Sequence, residues 1–270
     1  NESLLDRPEY EDHNVANNTT YYYVVTAVDI YAYESDYSCP VEAVPTDGSI
    51  VLLNAVDFEF GLGDWINVSG EDTHDWTLNT GGTLTPNTGP TGGACGSDWY
   101  VYLETSPGGA NFAGDSAILE SPEIPGFERT LTFFYHMYGI EIGTLNVDVY
   151  DGVWHNAVWS RSGQQHASAA EEYAQATVDL AGYTGLIRIR FRAVAAGGPR
   201  GDIAIDDIKI TGKIIYGDMN ADNIVNASDL PEFIGVWLQE NCNLDLNGDC
   251  MINLYEFAEF ACNWLNDFFQ

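Results

Sequence analysis

The alternation of apolar and polar positions is the strongest signal between residues 50 and 212. Short runs with a period of two are separated by loops rich in Gly, Pro and Thr, without helical periodicity. In one run Ile187, Ile189 and Phe191 alternate with three arginines, which predicts a strand with one buried and one solvated face. The predicted strands cover residues 99–104, 116–119, 129–138, 143–150, 185–193 and 202–210. Regular short strands with turn signals predict a β-sandwich.

The first 46 residues also have a β pattern, carried by aromatic and β-branched side chains. Tyr21, Tyr23, Val25 and Ala27 alternate with a second row of apolar residues, and a further short strand is predicted near residues 41–44. Too few strands are predicted here for a closed sandwich, so the row from Tyr21 to Ala27 is expected to face water unless further strands cover it. Residues 45–48 (Pro-Thr-Asp-Gly) are predicted to be a linker.

The pattern changes to helical spacing in the last quarter of the chain, where one motif occurs twice. The two copies are offset by 27 residues over their whole length. In the first copy the apolar positions are Leu230, Phe233, Ile234, Trp237 and Leu238, and in the second they are Phe257, Phe260, Ala261, Trp264 and Leu265. Each set forms one apolar stripe on a helix. Helices this short are not stable alone, so we expect the two copies to pack on each other.

An acidic loop precedes each predicted helix. Calcium takes six to eight oxygen ligands, which an EF-hand-type loop supplies from positions 1, 3, 5, 7, 9 and 12. The residues at these positions are Asp218, Asn220, Asp222, Ile224, Asn226 and Asp229 in the first copy, and Asp245, Asn247, Asp249, Met251, Asn253 and Glu256 in the second. A solvated acidic turn would explain one copy, but two copies in register predict two calcium ions. Loss of calcium is then expected to unfold residues 216–267.

Two calcium loop-helix units without incoming helices, over residues 216–267, resemble a type I dockerin. The resemblance implies that this module docks onto a cohesin-like domain. The residue at loop position 6, where a positive φ favours Gly or Asn, is Asn223 in the first copy and Cys250 in the second, so the second site is less secure. The Ser-Thr pair through which many dockerins contact cohesin is absent, which leaves the partner open.

Residues 20–29 (Thr-Tyr-Tyr-Tyr-Val-Val-Thr-Ala-Val-Asp), followed by Glu34-Ser35 and Tyr37-Ser38, resemble the end of a fibronectin type III domain. The resemblance implies that Tyr21 is the tyrosine-corner residue and that residues 1–46 hold about three of roughly seven strands. The other strands either lie upstream or are supplied by another chain through strand addition at an open edge. In the second case the chain would assemble head to tail into fibres.

Several phrases in residues 50–212 resemble the MAM domain, an extracellular jelly-roll adhesion module. The most specific are Tyr-His-Met-Tyr-Gly at 135–139 and Asp-Ile-Ala-Ile-Asp-Asp-Ile at 202–208. Others are Asp-Phe-Glu at 57–59, Asp-Trp at 75–76 and Ser-Pro at 121–122. The family carries conserved disulfides in vertebrates, whereas this region has only Cys95, so the chain looks like a bacterial variant.

The amino-acid composition excludes further classes of binding partner. The chain has 41 acidic and nine basic residues and a net charge of −32, so it repels nucleic acids and anionic membrane surfaces. There is no twenty-residue apolar run that would predict a membrane span. Asn1 is not a native start, and a processed or partial secreted chain is the simplest interpretation. A calcium-rich, salty extracellular or cell-surface environment suits such a charge.

The five cysteines fit no zinc site, because their spacing contains no Cys-x-x-Cys motif and no matching His pair. They are Cys39, Cys95, Cys242, Cys250 and Cys262. We expect one disulfide in the terminal module, involving Cys242, and one leftover thiol.

Three groups in residues 50–212 are candidates for chemistry. The jelly-roll resemblance implies a third cation among acids on paired terminal strands, namely Asp57, Glu59, Glu104, Asp206 and Asp207, although an exposed acidic edge explains them equally well. His136, between aromatic neighbours, is better explained as a core residue than as a ligand. Trp154, Trp159 and His155 could form a platform for a sugar, but core and rim packing is the stronger interpretation.

The sequence therefore predicts a mostly β chain: part of an immunoglobulin-like sandwich at 1–46, a jelly-roll sandwich at 50–212 and a small all-α calcium module at 216–267. No catalytic motif is present, and paired acids are uninformative in so acidic a chain. We expect a secreted, non-catalytic, calcium-dependent adhesion or structural protein that assembles through its terminal modules, with a cohesin-like domain or another copy of the chain as partner. The alternative is the accessory binding and docking tail of a secreted hydrolase, with the sandwich binding carbohydrate.

Overall fold

A computed structural model gives the fold of the chain. It describes residues 20–28, 31–35, 37–38, 41–43, 50–214, 217–218, 225, 227–237, 252–253, 257 and 260–261. The chain divides into two compact units, Asn1–Ile50 and Val51–Gln270. The described strands are β1 (Tyr21–Tyr23), β2 (Val41–Ala43), β3 (Ile50–Val56), β4 (Ile66–Asn67), β5 (Thr77–Thr80), β6 (Trp99–Leu103), β7 (Ser116–Glu120), β8 (Phe127–Met137), β9 (Thr144–Tyr150), β10 (Trp154–Ser162), β11 (Ala174–Asp179), β12 (Arg188–Val194) and β13 (Ile203–Lys213), and the described helix is α1 (Leu230–Val236).

In the first unit, β1 pairs with β2 in antiparallel register, with Tyr21 opposite Ala43. Serine hydroxyl groups extend the pairing, since the amide groups of Val25 and Ala27 donate to Ser38 Oγ and Ser35 Oγ, both at 2.9 Å. Val25 and Ala27 are exposed, as the sequence predicted for their row, whereas Tyr21 and Tyr23 of the same row are half-buried. Residues 1–19 and Cys39 lie outside the described residues, so the resemblance to fibronectin type III stays an expectation.

The second unit contains the predicted β-sandwich. One sheet has five strands in the order β10-β9-β12-β7-β4, and the other has six, in the order β11-β8-β13-β6-β5 with β3 also paired to β13. Neighbours in space are mostly distant in sequence, and the strand pairs of described register run antiparallel. The mostly β architecture predicted from the periodicity is thus confirmed.

Alternating side chains of the two sheets fill the space between them. Leu131, Phe133 and Tyr135 of β8 meet Ile189 and Phe191 of β12 in one buried cluster. The rings of Phe133 and Phe191 pack edge to face, with centroids 4.7 Å apart. Full burial of one such side chain contributes about 1.5–3 kcal/mol, so this aromatic centre is a main source of the sandwich's stability.

Arg129 on β8 is also buried, and sequence reasoning had not singled it out. Its guanidinium donates to the backbone carbonyl groups of Pro125, Tyr183 and Gly185. Burial lowers the pKa of Arg129 to about 10, which leaves it charged at neutral pH. This one side chain holds the loop between β11 and β12 against the start of β8.

The described part of the terminal repeat has a small core of its own. It consists of Val225, Phe233, Ile252 and Phe260, with Leu230 and Trp237 packed against it. Val225 and Ile252 occupy the same position in the two copies, as do Phe233 and Phe260, so the copies contact each other through equivalent residues. The sequence prediction for Ile234 was wrong, because this side chain is 66% exposed instead of facing the core. Leu238, Trp264 and Leu265 lie outside the described residues.

Candidate functional site

The predicted calcium loops are described only in part. Asp218, Asp229 and Asn253 are described, and Asp229 is fully buried just before helix α1. The remaining predicted ligands lie outside the described residues: Asn220, Asp222, Ile224, Asn226, Asp245, Asn247, Asp249, Met251 and Glu256. In the part of the chain that the structure describes, no three His, Cys, Asp or Glu side chains form a group that could hold a metal. Calcium in these loops therefore stays a prediction.

Two contacts join the described parts of the two copies. Val225 and Ile252, at the eighth loop position in each copy, are both buried in the shared core. The rings of Phe233 and Phe260 stack with centroids 4.8 Å apart and an interplanar angle of 30°. Each copy thus contributes equivalent residues to this core.

The acids proposed for a third cation are engaged by protein groups. Glu59 Oε1 accepts the amide protons of Asp98 and Trp99, both at 2.9 Å. Asp57 Oδ1 accepts from the amide of Glu59 at 3.2 Å. Glu104 accepts from the Tyr102 hydroxyl at 2.6 Å. These contacts anchor loops, and such anchoring accounts for the acids independently of any cation.

Asp206 is the most tightly held of these acids. Its Oδ2 accepts from the Ala94 amide at 2.7 Å and from Ser97 Oγ at 2.8 Å, and its Oδ1 accepts from the Asp207 amide. Burial raises the pKa of Asp206 to about 7 despite these donors. Its neighbour Asp207 instead forms an ion pair with Lys209 at 3.3 Å. Asp206 thus fixes a loop onto the outward face of the six-stranded sheet.

That loop contains Cys95, which is disulfide-bonded. Sequence reasoning placed a disulfide in the terminal module and left Cys95 without an assignment. Cys95 has a φ of 55°, in the left-handed region, inside a short 3-10 turn at Ala94–Gly96. Cys242, Cys250 and Cys262 lie outside the described residues, so the pairing predicted for Cys242 is untested.

His136 lies under the loops that cover the six-stranded sheet. It is fully buried, and its ring stacks on that of His166 with centroids 4.2 Å apart. Neither ring nitrogen of His136 has a hydrogen-bond partner among the described residues. Burial, with a smaller contribution from His166, lowers the pKa of His136 to about 4, and this outweighs the nearby carbonyl groups of Ser168 and Glu171. His136 is a packed core residue, as the sequence favoured.

The structure separates the three residues considered as a sugar platform. Trp159 packs edge to face on Phe133 and Tyr135, at 5.0 and 5.3 Å, and so belongs to the core side of β10. His155 bonds to Asp151 at 2.8 Å. Trp154 lies on the side of the sheet that carries Arg188 and Arg190. The rings of Trp154, Trp159 and His155 therefore do not form one surface.

Trp154 instead joins a charged network on the outward face of the five-stranded sheet. Arg190 lies over its ring at 3.9 Å, and Arg188 lies over Tyr150 at 4.6 Å. The same two arginines bond to Glu120, and Arg190 also bonds to Glu71 at 2.7 Å.

The network continues along the strand, where Arg192 binds Asp148 through two bonds of 2.7 and 2.9 Å. The alternating arginines of β12 were visible in the sequence, but their partners on other strands were not. We call the set Tyr150, Trp154, Arg188, Arg190 and Arg192 the arginine face.

Within the described residues, no helix is long and apolar enough to cross a membrane. The fold and surfaces above define a two-sheet, antiparallel β-sandwich domain whose polar clusters anchor loops. Residues 56–214 match the model of the family "MAM domain, meprin/A5/mu". The chain belongs to the MAM domain family, which confirms that part of the sequence interpretation.

The relatives found by sequence are MAM domain-containing glycosylphosphatidylinositol anchor proteins. The mouse protein 2 is 29% identical over 233 residues, covering 79% of this chain and 22% of that protein. The human protein 2 is 33% identical over 187 residues, covering 62% of this chain and 19% of that protein. The chain thus spans about a fifth of the length of these relatives.

Solved structures with a similar chain trace include the K3 cleaved adhesin domain of Lys-gingipain from Porphyromonas gingivalis, at 19% identity and a TM-score of 0.41, covering 60% of this chain and 99% of that one. Another is TmCBM61 in complex with beta-1,4-galactotriose, at 18% identity and a TM-score of 0.36, covering 57% of this chain and 92% of that one. At such scores neither structure assigns a ligand to this chain.

Proposed function

We propose that this chain is a secreted, non-catalytic adhesion-type protein of the extracellular space or cell surface. The observation that carries the proposal is the match of residues 56–214 to the MAM family, whose relatives here are named as glycosylphosphatidylinositol anchor proteins. The polar clusters of the sandwich support it, because Asp206, Glu59 and Glu104 hold loops in place.

Calcium dependence is the second part of the proposal. It is supported by the repeated ligand pattern and by the shared core of Val225, Ile252, Phe233 and Phe260. Acidic loops repel without a cation, so we expect calcium binding and folding of this module to be coupled. The dockerin resemblance adds that the module docks onto a cohesin-like domain, and a second copy of the chain is the other partner considered.

Calorimetry of the full chain with calcium and with a chelator tests the calcium proposal. We expect chelation to abolish or lower the transition of residues 216–267 and to leave the sandwich transition unchanged. Asp218→Ala and Asp245→Ala should each lower the bound calcium by one ion. An unchanged profile and stoichiometry would refute calcium dependence but not adhesion.

Assembly is tested by light scattering in calcium. Strands added to the first unit would cover apolar side chains that are exposed there, such as Tyr22 and Val25. We expect particles larger than a monomer that disappear when residues 1–46 are deleted. If the full chain and the chain without residues 1–46 are both monomers, the proposed assembly into fibres is wrong.

The alternative function, an accessory binding and docking tail of a secreted hydrolase, is favoured by one observation. The arginine face combines an outward indole ring with fixed hydrogen-bond donors, which suits a carbohydrate. A screen of the full chain against immobilised saccharides separates this function from adhesion through protein contacts alone.

A further inference from the structure

We propose that the arginine face binds an acidic oligosaccharide, with one sugar ring against Trp154 and separate carboxylates against Arg188 and Arg192. The proposal rests on the carbohydrate-binding alternative given above and adds to it the residues and the chemical class of the ligand. It does not depend on calcium or on assembly, because the residues involved all lie in the sandwich.

The face is rigid before any ligand arrives. Glu120 and Asp148 lie beneath the arginines, with side chains only 7% and 3% exposed, and their carboxylates are held in ion pairs. Asn146 extends the floor by donating to the Arg192 carbonyl and accepting from Ser160 Oγ at 2.9 Å. Side chains already fixed by such bonds lose little conformational entropy when they bind a ligand.

The solvent side of this face presents hydrogen-bond donors. The side chains of Arg188 and Arg192 are 32% and 28% exposed, well above their partner acids. Among the described contacts, Arg188 uses only Nη1 in its pair, and Arg192 uses only Nε and Nη2. A guanidinium has five N–H donors, so both arginines keep donors for a ligand. Arginine binds carboxylates with particular geometric fit, which selects an anionic group.

Trp154 supplies the apolar part of the site. One face of its ring covers Arg190, whose side chain is only 10% exposed, and the Tyr150 ring lies 5.3 Å away. Arg188 also lies over this ring, at 5.7 Å, and Trp154 is partly exposed. The proposal places the C–H surface of a pyranose against the exposed part of the ring. Aromatic rings next to a few fixed polar groups are typical of small-ligand sites.

The net charge of the chain does not oppose local binding of an acid. The chain carries −32, but three of its nine basic residues stand at alternate positions of this one strand. The arginines of this strand are paired with Glu120, Glu71 and Asp148, so the face is close to neutral. Distant charges are largely screened at physiological ionic strength, so recognition rests on the guanidinium donors that these pairs leave free. A neutral saccharide would use the indole ring but would gain little from the free guanidinium donors.

Binding of the full chain to immobilised oligosaccharides tests the proposal. The acidic probes are oligomers of galacturonate, mannuronate and hyaluronan, and the neutral probes are oligomers of galactose, mannose and N-acetylglucosamine. We expect retention on at least one acidic probe, weakening as NaCl rises from 50 to 300 mM. Arg188→Gln and Trp154→Leu should each lower the affinity about tenfold or more, the scale of one lost charge-assisted contact. Arg161→Gln should leave the affinity unchanged, since Arg161 lies over Trp159, at 4.8 Å, and Trp159 is not part of the arginine face.

Thermal unfolding of each variant shows that the sandwich is intact. Retention on neutral probes only would overturn the choice of an acidic ligand while leaving carbohydrate binding in place. Retention on no probe would overturn both. Equal loss in the Arg161→Gln variant would overturn the placement on the arginine face.

Discussion

The outward faces of the two sheets accommodate their polar side chains in opposite ways. Both sheets carry polar side chains at alternate strand positions. On the six-stranded sheet, loops cover these side chains, and His136 and Asp206 are fully buried. On the five-stranded sheet the arginines stay partly exposed above buried carboxylates. Covered polar groups are neutralised or anchored by backbone groups, whereas open ones remain charged and pair with opposite charges.

Asp206→Ala tests the covered face and has the largest expected effect. It removes the acceptor of two amide protons and one hydroxyl, so buried donors of Ala94 and Asp207 lose their partner. We expect a loss of about 3 kcal/mol in the free energy of unfolding, measured by urea titration. Asp206→Asn keeps one acceptor oxygen and should lose about half as much. Equal losses for the two variants would show that the charge of Asp206, and not its ability to accept hydrogen bonds, stabilises the fold.

His136→Phe sharpens the comparison through pH. The pKa of buried His136 is about 4, below its ordinary value of 6.5, so the unfolded chain takes up this proton first. The contribution of His136 to stability is present above pH 6.5 and is lost as pH falls towards 4, by up to about 3 kcal/mol. Asp206 has the opposite sign, because its pKa is raised to about 7 and its contribution is lost as pH rises.

The difference between the wild type and His136→Phe isolates the histidine contribution. Unfolding free energies measured between pH 4 and 7.5 should diverge below pH 6.5, with the variant less sensitive to acid. Parallel pH profiles would mean that His136 is not protonated on unfolding in this window.

Arg190→Met tests the open face. The substitution keeps an apolar stem under Trp154 but removes the pairs with Glu120 and Glu71. Glu120 keeps Arg188, so we expect a loss of about 2 kcal/mol, below the 3–5 kcal/mol typical of a fully orphaned buried charge. Thermal unfolding measures it, with Arg161→Met as the exposed control. A stabilised Arg190→Met variant would show that desolvation outweighs pairing here.

Tyr173→Phe has the smallest expected effect. The Tyr173 hydroxyl donates to the Gly92 carbonyl at 3.1 Å and ties one covering loop to another. Loss of this bond should cost about 1 kcal/mol in urea unfolding, with an unchanged dependence on urea. A loss near zero would mean that ring packing alone holds the loops.

Periodicity predicted the buried strands but not the exposed ones. β8, β12 and β13 each bury alternate apolar residues and were found in the sequence. β10 was missed, because it is largely solvated and a register shift between His155 and Trp159 interrupts its pairing with β9. The alternation alone could have separated Trp154 from His155, since neighbouring residues on a strand point to opposite faces.

The candidate sites depended on contacts that no single stretch of sequence contains. The three arginines of β12 were visible, but their partners come from β7, β9 and the loop carrying Glu71. The sequence suggested a third cation site among acids near strand ends. In the structure, backbone amide groups donate to the carboxylate oxygens of several of these acids. The sequence does not show which amide groups come close to them. Asp206, 112 positions from Ala94, is the clearest case.

The stacked pair of Phe233 and Phe260 constrains how this terminal segment can evolve. Each copy supplies one ring of this pair, and in the same way one copy supplies Val225 and the other Ile252 to the shared core. Gain or loss of a single copy would leave an aromatic ring without its counterpart. The smallest part of this segment that could be transferred to another protein and still bury both rings is therefore the matched pair of copies.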